Sequence, residues 1–163
     1  MRDLRLWRWY ALAVAVFAAD WFSKQWAVSA LVYGVPNEIT PFLDITLVYN
    51  RGAAFSFLSE AGGWQRWFFA LIATIASVIL AGWIAKLPRP AVAMPLALAL
   101  ILGGAIGNLY DRIVLGHVVD FISAHWGVHY WPAFNVADAA ISTGAAIVLL
   151  HAILEKPTEP RRE

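Results

Sequence analysis

The chain has 163 residues and a net charge of +1, with 61% hydrophobic and 14% charged residues and a mean hydropathy of +0.63. Soluble domains average about 45–50% apolar and about 25% charged, and one this small buries only about 70% of the surface its unfolded chain exposes. An ordinary soluble domain, a disordered chain and a nucleic-acid module are therefore excluded, and lipid is the expected solvent.

The first apolar stretch runs from about Trp7 to Val28 and follows Arg2, Arg5 and Arg8. Basic residues before Ala11–Ala19 also have the form of a cleaved signal peptide, with Ala-x-Ala-like sites. The run continues through Trp21 and Phe22, too long for a typical signal core, so it reads as a retained span. Asp20 and Lys24 lie within it at i, i+4, on one helix face and within pairing reach. A buried ion pair that orients the helix is the simpler role, with catalysis as the alternative. Ser23 beside Lys24 makes a poor nucleophile–base pair, because adjacent helical residues diverge by about 100°.

Outer loop one, about residues 29–66, contains Ile45-Thr-Leu-Val-Tyr49, a β-branched and aromatic run that reads as a strand. Gly52-Ala-Ala-Phe-Ser-Phe57 sets small residues beside aromatics, and Gly34, Pro36 and Pro41 punctuate the loop. A small sheet at the outer membrane surface is expected here. The second span is about 67–85, and a short connector, Lys86 to Pro90, leads to the third, about 91–110. Gly103 and Gly107 on that span form a small-xxx-small face, which admits another helix or a substrate backbone. Asn108 and Arg112 share a face at its outer end, where Arg112 complements the helix dipole. Spacing leaves open helix packing with a snorkelling Arg or a substrate clamp.

The loop of about 111–131 places Asp120 inside Val118-Val-Asp-Phe-Ile122, which predicts an acid held at the membrane surface. His125 and His129 have a metal-binding spacing if helical. Gly127 and Pro132 weaken that helix and the His-Glu-x-x-His pattern is absent, so surface histidines are the simpler reading. The fourth span, about 132–150, starts with Pro132 as first helical residue. Asn135 and Asp138 share a face, and Asp138 falls roughly 9 Å along the helix, with no basic residue nearby in that helix. Ser142 and His151 are too far apart to form a hydrolase pair.

Eight of the 12 basic residues (Arg2, Arg5, Arg8, Lys86, Arg89, Lys156, Arg161 and Arg162) fall on one side of a four-span chain. The positive-inside rule makes that side cytoplasmic, with both termini inside and the two longer loops outside. Asp20, Lys24, Asn108, Arg112, Asp120, Asn135 and Asp138 then share one depth near the outer leaflet. Ionisable groups in lipid cost about 2.5–3.5 kcal/mol even on gentle scales, so this layer reads as one site. Two carboxylates in a low-dielectric place share a proton, one acting as base on a water and the other as acid. Asp120 and Asp138 are the natural pair, and they need no metal. Cysteine is absent, which removes disulfides, thiolate metal sites and cysteine nucleophiles together. A small ion- or proton-coupled membrane carrier is the rival, but it needs polar groups through the whole membrane thickness. A third class is a non-catalytic assembly or lipid-binding factor.

Five segments in order, Asp20-Trp-Phe-Ser-Lys24, Asn50-Arg-Gly-Ala-Ala-Phe55, Gly103-Gly-Ala-Ile-Gly-Asn-Leu-Tyr-Asp-Arg112, Val119-Asp120-Phe121 and Phe134-Asn-Val-Ala-Asp138, resemble the bacterial lipoprotein signal peptidase family, or signal peptidase II. The resemblance covers nearly the whole chain. It implies a single α-helical inner-membrane domain with four transmembrane helices and a small extracytoplasmic β-sheet in the first outer loop. The implied activity is an aspartic endopeptidase that removes signal peptides from diacylglyceryl-modified prolipoproteins, cutting before the lipidated cysteine. Asp120 and Asp138 are then the catalytic dyad. Asn50, Gly104, Gly107, Asn108, Arg112 and Asn135 are the substrate-binding residues, the two glycines by permitting close approach, and Asp20 and Lys24 brace the site. No cofactor is implied. The partners are lipidated prolipoproteins and membrane lipids, a monomer suffices, and the cyclic peptide globomycin is the family's inhibitor.

Overall fold

The computed structural model describes residues 3–52, 63–88 and 91–154. The segment 53–57 of the first loop, with Arg2, Arg89, Lys156, Arg161 and Arg162 of the orientation argument, lies outside the described residues. Helices α1 (Asp3–Ala30), α2 (Trp64–Lys86), α3 (Ala93–Val114) and α4 (Val136–Leu154) alternate with a small sheet. Helices α2, α3 and α4 are long and apolar enough to cross a membrane. Helix α1 is more polar, because Asp20, Ser23, Lys24 and Gln25 interrupt it.

Helix α3 is central and packs against the other three. Its glycines make this possible. A Cβ on Gly103 would lie 2.5 Å from the Ala13 carbonyl oxygen of α1. One on Gly104 would meet the Ala137 carbonyl and lie 2.8 Å from Ile141 Cγ1, both on α4. Pro95 falls in the first turn of α3, where its missing N–H has no intrahelical partner to lose. Gly116, at φ 83°, ends the helix by returning its N–H to the Asp111 carbonyl at 3.1 Å. The apolar core between α1, α2 and α3 is formed by Ala13, Ile84, Leu98, Ala99 and Leu102.

The sheet is antiparallel, in the order β1 (Asn37–Thr40), β2 (Leu43–Asn50), β3 (Val118–Trp126), β4 (His129–Tyr130). Strand β2 contains the run expected at 45–49. The sheet is not confined to the first loop, however. Half of its strands come from the segment after α3, where the sequence alone predicts a loop that holds Asp120 at the membrane surface. His125 lies on β3 and His129 on β4, where His129 pairs with Trp126 across a hairpin, so the helical spacing considered for them does not arise. Helix α4 begins at Val136 and not at Pro132, which puts Asp138 in its first turn, short of the 9 Å depth expected.

Candidate active site

Strand alternation positions Asp120. Val119 and Phe121 on β3 bury with Ala27 of α1 and Leu47 of β2, so Asp120 between them points to the opposite face. In the β2–β3 ladder Ile45 lies opposite Ile122, and Val48 opposite Asp120. Three steps along β2 therefore match two along β3, which is a β-bulge. A one-residue slip reverses the faces of a strand, so the bulge is what turns Asn50 to the face of Asp120. Asn50 sits opposite Val118, diagonal to Asp120, and its Nδ2 donates to Asp120 Oδ2 at 3.1 Å.

Helix capping positions Asp138. The Asn135 carbonyl accepts the N–H of Ala139 at 3.1 Å, and its Oδ1 accepts the N–H of Asp138 at 2.9 Å. Asp138 Oδ2 accepts the Asn135 N–H in return at 3.3 Å. This is a reciprocal capping box with Asn as the cap and Asp three residues on. The same Asn135 donates Nδ2 to Asp120 Oδ1 at 2.7 Å. One fully buried asparagine thus holds both carboxylates.

An ion cluster stands behind the pair. Lys24 Nζ donates to Asp20 at 2.7 Å, to Asp111 at 3.0 Å and to Asn108 Oδ1 at 3.0 Å, which uses its three protons. Asn108 passes this polarisation on, donating Nδ2 to Asp138 Oδ1 at 2.8 Å. Asp20 Oδ1 accepts the N–H of Ala137 at 2.9 Å, placing a carboxylate at the N-terminus of α4. Asp111 Oδ2 accepts the N–H of Val119 at 3.1 Å and so ties β3 to α3 beside Asp120. Asp111 was not among the expected site residues, although its i+3 relation to Asn108 put it on the same helix face.

The two acids differ in access. Asp120 is 2% exposed, whereas Asp138 is half-buried and opens onto a cavity of about 460 Å³. Asn50, Trp131, Phe134, Ile141 and Ser142 are among the residues that share its wall. Burial raises the Asp120 pKa, the charge of Asp138 raises it further, and the hydrogen bonds from Asn50 and Asn135 oppose both, leaving it at about 7.

The residues expected at one depth, with Asn50, therefore meet in one hydrogen-bonded network, but not all of them face the cavity. Asn50 and Asp138 do. Asn108 and Asn135 are buried behind the acids. Arg112 lies at the end of α3, where its guanidinium donates to the carbonyls of Asn108 at 3.2 Å and Gly52 at 3.4 Å. Gly104 and Gly107 were expected to let a substrate approach. Both are buried against other parts of the chain, Gly104 against α4 and Gly107 against the Asp20 carboxylate, so the close approach they permit is within the bundle. Among the described residues, the buried charged side chains, Asp20, Lys24, Asp44, Asp111 and Asp120, lie at this end of the helices and in the sheet.

Apolar helices with two carboxylates bridged by one buried asparagine at one end have the architecture of a membrane-embedded aspartic peptidase. The family model described as signal peptidase (SPase) II matches residues 12–154. Among curated proteins, the lipoprotein signal peptidase of Cellvibrio japonicus is 51% identical over 159 residues, covering 93% of this chain and 94% of that one. That of Teredinibacter turnerae is 54% identical over 142 residues, covering 87% and 84%. A bacterial membrane enzyme solved by the in meso method at 2.3 Å superposes with a TM-score of 0.83 at 29% identity, over 96% of this chain and 93% of that one. The chain belongs to the signal peptidase II family, and it is an integral membrane protein of bacterial type.

Proposed function

We propose that this protein removes signal peptides from diacylglyceryl-modified prolipoproteins, cutting before the lipidated cysteine, with Asp120 and Asp138 as its catalytic dyad. The observation that carries this reading is Asn135, which bonds both carboxylates at the edge of the cavity. Asp138 meets the cavity and takes the proton of the attacking water. Asp120, buried and protonated up to about pH 7, supplies the shared proton. Water adds to the scissile carbonyl, the C–N bond breaks, and a proton passes to the leaving amine.

In this reading α1 is a fourth membrane crossing. The termini are cytoplasmic, the membrane is the inner one, and the sheet caps the outer side. A substrate anchored by its lipid then reaches the cavity sideways, at a depth where water is available. One chain supplies every residue of the site, so a monomer suffices.

The test is mass spectrometry of a diacylglyceryl-modified precursor incubated with wild type, Asp120→Asn and Asp138→Asn. Both variants are expected to insert and unfold like wild type while cleavage is abolished. Near-normal turnover by either one would remove that residue from the dyad.

A further inference from the structure

We infer that Ser142 is a positioning residue that fixes the register of the substrate, by donating a hydrogen bond to the peptide carbonyl two residues upstream of the scissile one. The inference rests on the assignment of Asp138 to the dyad.

Ser142 lies one helical turn beyond Asp138, and both line the same cavity. Several other hydroxyls on the helices bond back to their own helix: Ser23 donates to the Asp20 carbonyl at 2.8 Å, Ser29 to Trp26 at 2.9 Å and Thr74 to Ala70 at 2.8 Å. Ser142 is exposed on the cavity wall and has no such bond among the described residues, which leaves its donor available to the cavity. Its neighbours on this stretch of wall, Ala139 and Ile141, are apolar.

The spacing matches an extended peptide. Four helical residues rise about 6 Å, and two residues of an extended chain rise about 6.6 Å. An extended chain also repeats its carbonyl direction every two residues. A scissile carbonyl at Asp138 therefore places the carbonyl two residues upstream, on the same side, at the level of Ser142. Upstream is the correct direction, because α4 runs into the membrane from the cavity and the signal peptide comes out of it.

The need for such a bond is physical. A signal peptide held as a helix satisfies its own carbonyls, but it must unwind to offer a cleavable bond. In a lipid environment an unpaired carbonyl is costly, and one well-placed hydroxyl stabilises the extended form at the step that precedes cleavage.

The experiment is a cycle of two enzymes and two substrates, read as kcat/KM on a synthetic diacylglyceryl-modified lipopeptide. Ser142→Ala is expected to lower kcat/KM about tenfold, and Ser142→Thr to restore it. Reducing the carbonyl two residues upstream to a methylene should cost wild type about the same factor and cost Ser142→Ala little more. Full additivity of the two losses would overturn the inference, as would an unchanged Ser142→Ala. Asp138→Asn, run in parallel, separates the cases. If it is inactive while Ser142→Ala is unaffected, the register contact fails and the dyad stands; if it is active, the dyad itself fails.

Discussion

The carboxylate of Asp20 accepts the backbone N–H of Ala137 at 2.9 Å, and so joins the first helix to the first turn of the last. The bond fills a donor that a helix start otherwise leaves open and places negative charge where the helix dipole favours it. Asp20→Ala removes the acceptor and leaves a buried N–H unpaired, at a cost of about 1–3 kcal/mol. Turnover should fall more steeply than stability, because Asp138 is the next residue along. Unfolding in detergent and lipopeptide cleavage measure the two effects, and unchanged turnover would show that the bond does not position Asp138.

The pH profile follows from Asp120. Its pKa is pushed up to about 7, so the Asp120 proton that the proposed dyad uses is present below that pH and lost above it. Activity should decline on the alkaline side with a midpoint near 7. The Asn50 amide stabilises the ionised form, so Asn50→Ala should raise the pKa and move that limb to higher pH. A limb that stays in place, or moves down, would separate Asn50 from Asp120.

Two glycines make a paired test of the helix packing. Gly104→Ala forces a Cβ against the Ala137 carbonyl and 2.8 Å from Ile141 Cγ1, between α3 and α4. Overpacking of this kind costs about 1–3 kcal/mol and shifts the backbone, so stability and cleavage should fall together. Gly82→Ala on α2 meets nothing within 4 Å, and should be neutral or stabilising by up to about 1 kcal/mol. Thermal unfolding of both variants in the same detergent checks the contrast.

Lys24 pairs with two acids at once. Lys24→Met leaves Asp20 and Asp111 buried and unpaired, and breaking a buried ion pair from one side costs about 3–5 kcal/mol. Adding Asp111→Asn removes one of the stranded charges, so the double variant should be more stable than Lys24→Met alone. Denaturant unfolding that gives additive losses would contradict the shared cluster.

The polar layer was legible because charge in an apolar chain is conspicuous. Asp20, Lys24, Asn108, Asp120, Asn135 and Asp138 could be grouped by depth before any contact was known. What depth does not reveal is direction. Asn108 and Asn135 were expected against substrate, but they turn inward to hold the carboxylates. The strand at 118–126 was missed because its partner lies some 70 residues earlier, and a pairing so distant leaves no local periodicity. The start of α4 was placed at Pro132 by the preference of proline for a first turn. Asn135 and Asp138, with the spacing of a capping box, carried the stronger signal.

The bulge in β2 works as a spacer that decides which way Asn50 faces. If β2 kept all its residues but paired without the bulge, Tyr49 would lie opposite Val118 and Asn50 would turn toward α1. Such a strand would keep its ladder and still be miswired, because Asp120 would lose one of its two side-chain donors. Removing one residue at 46–47 closes the bulge and leaves Asn50 opposite Val118, so the extra residue and the face of Asn50 are two ends of the same count.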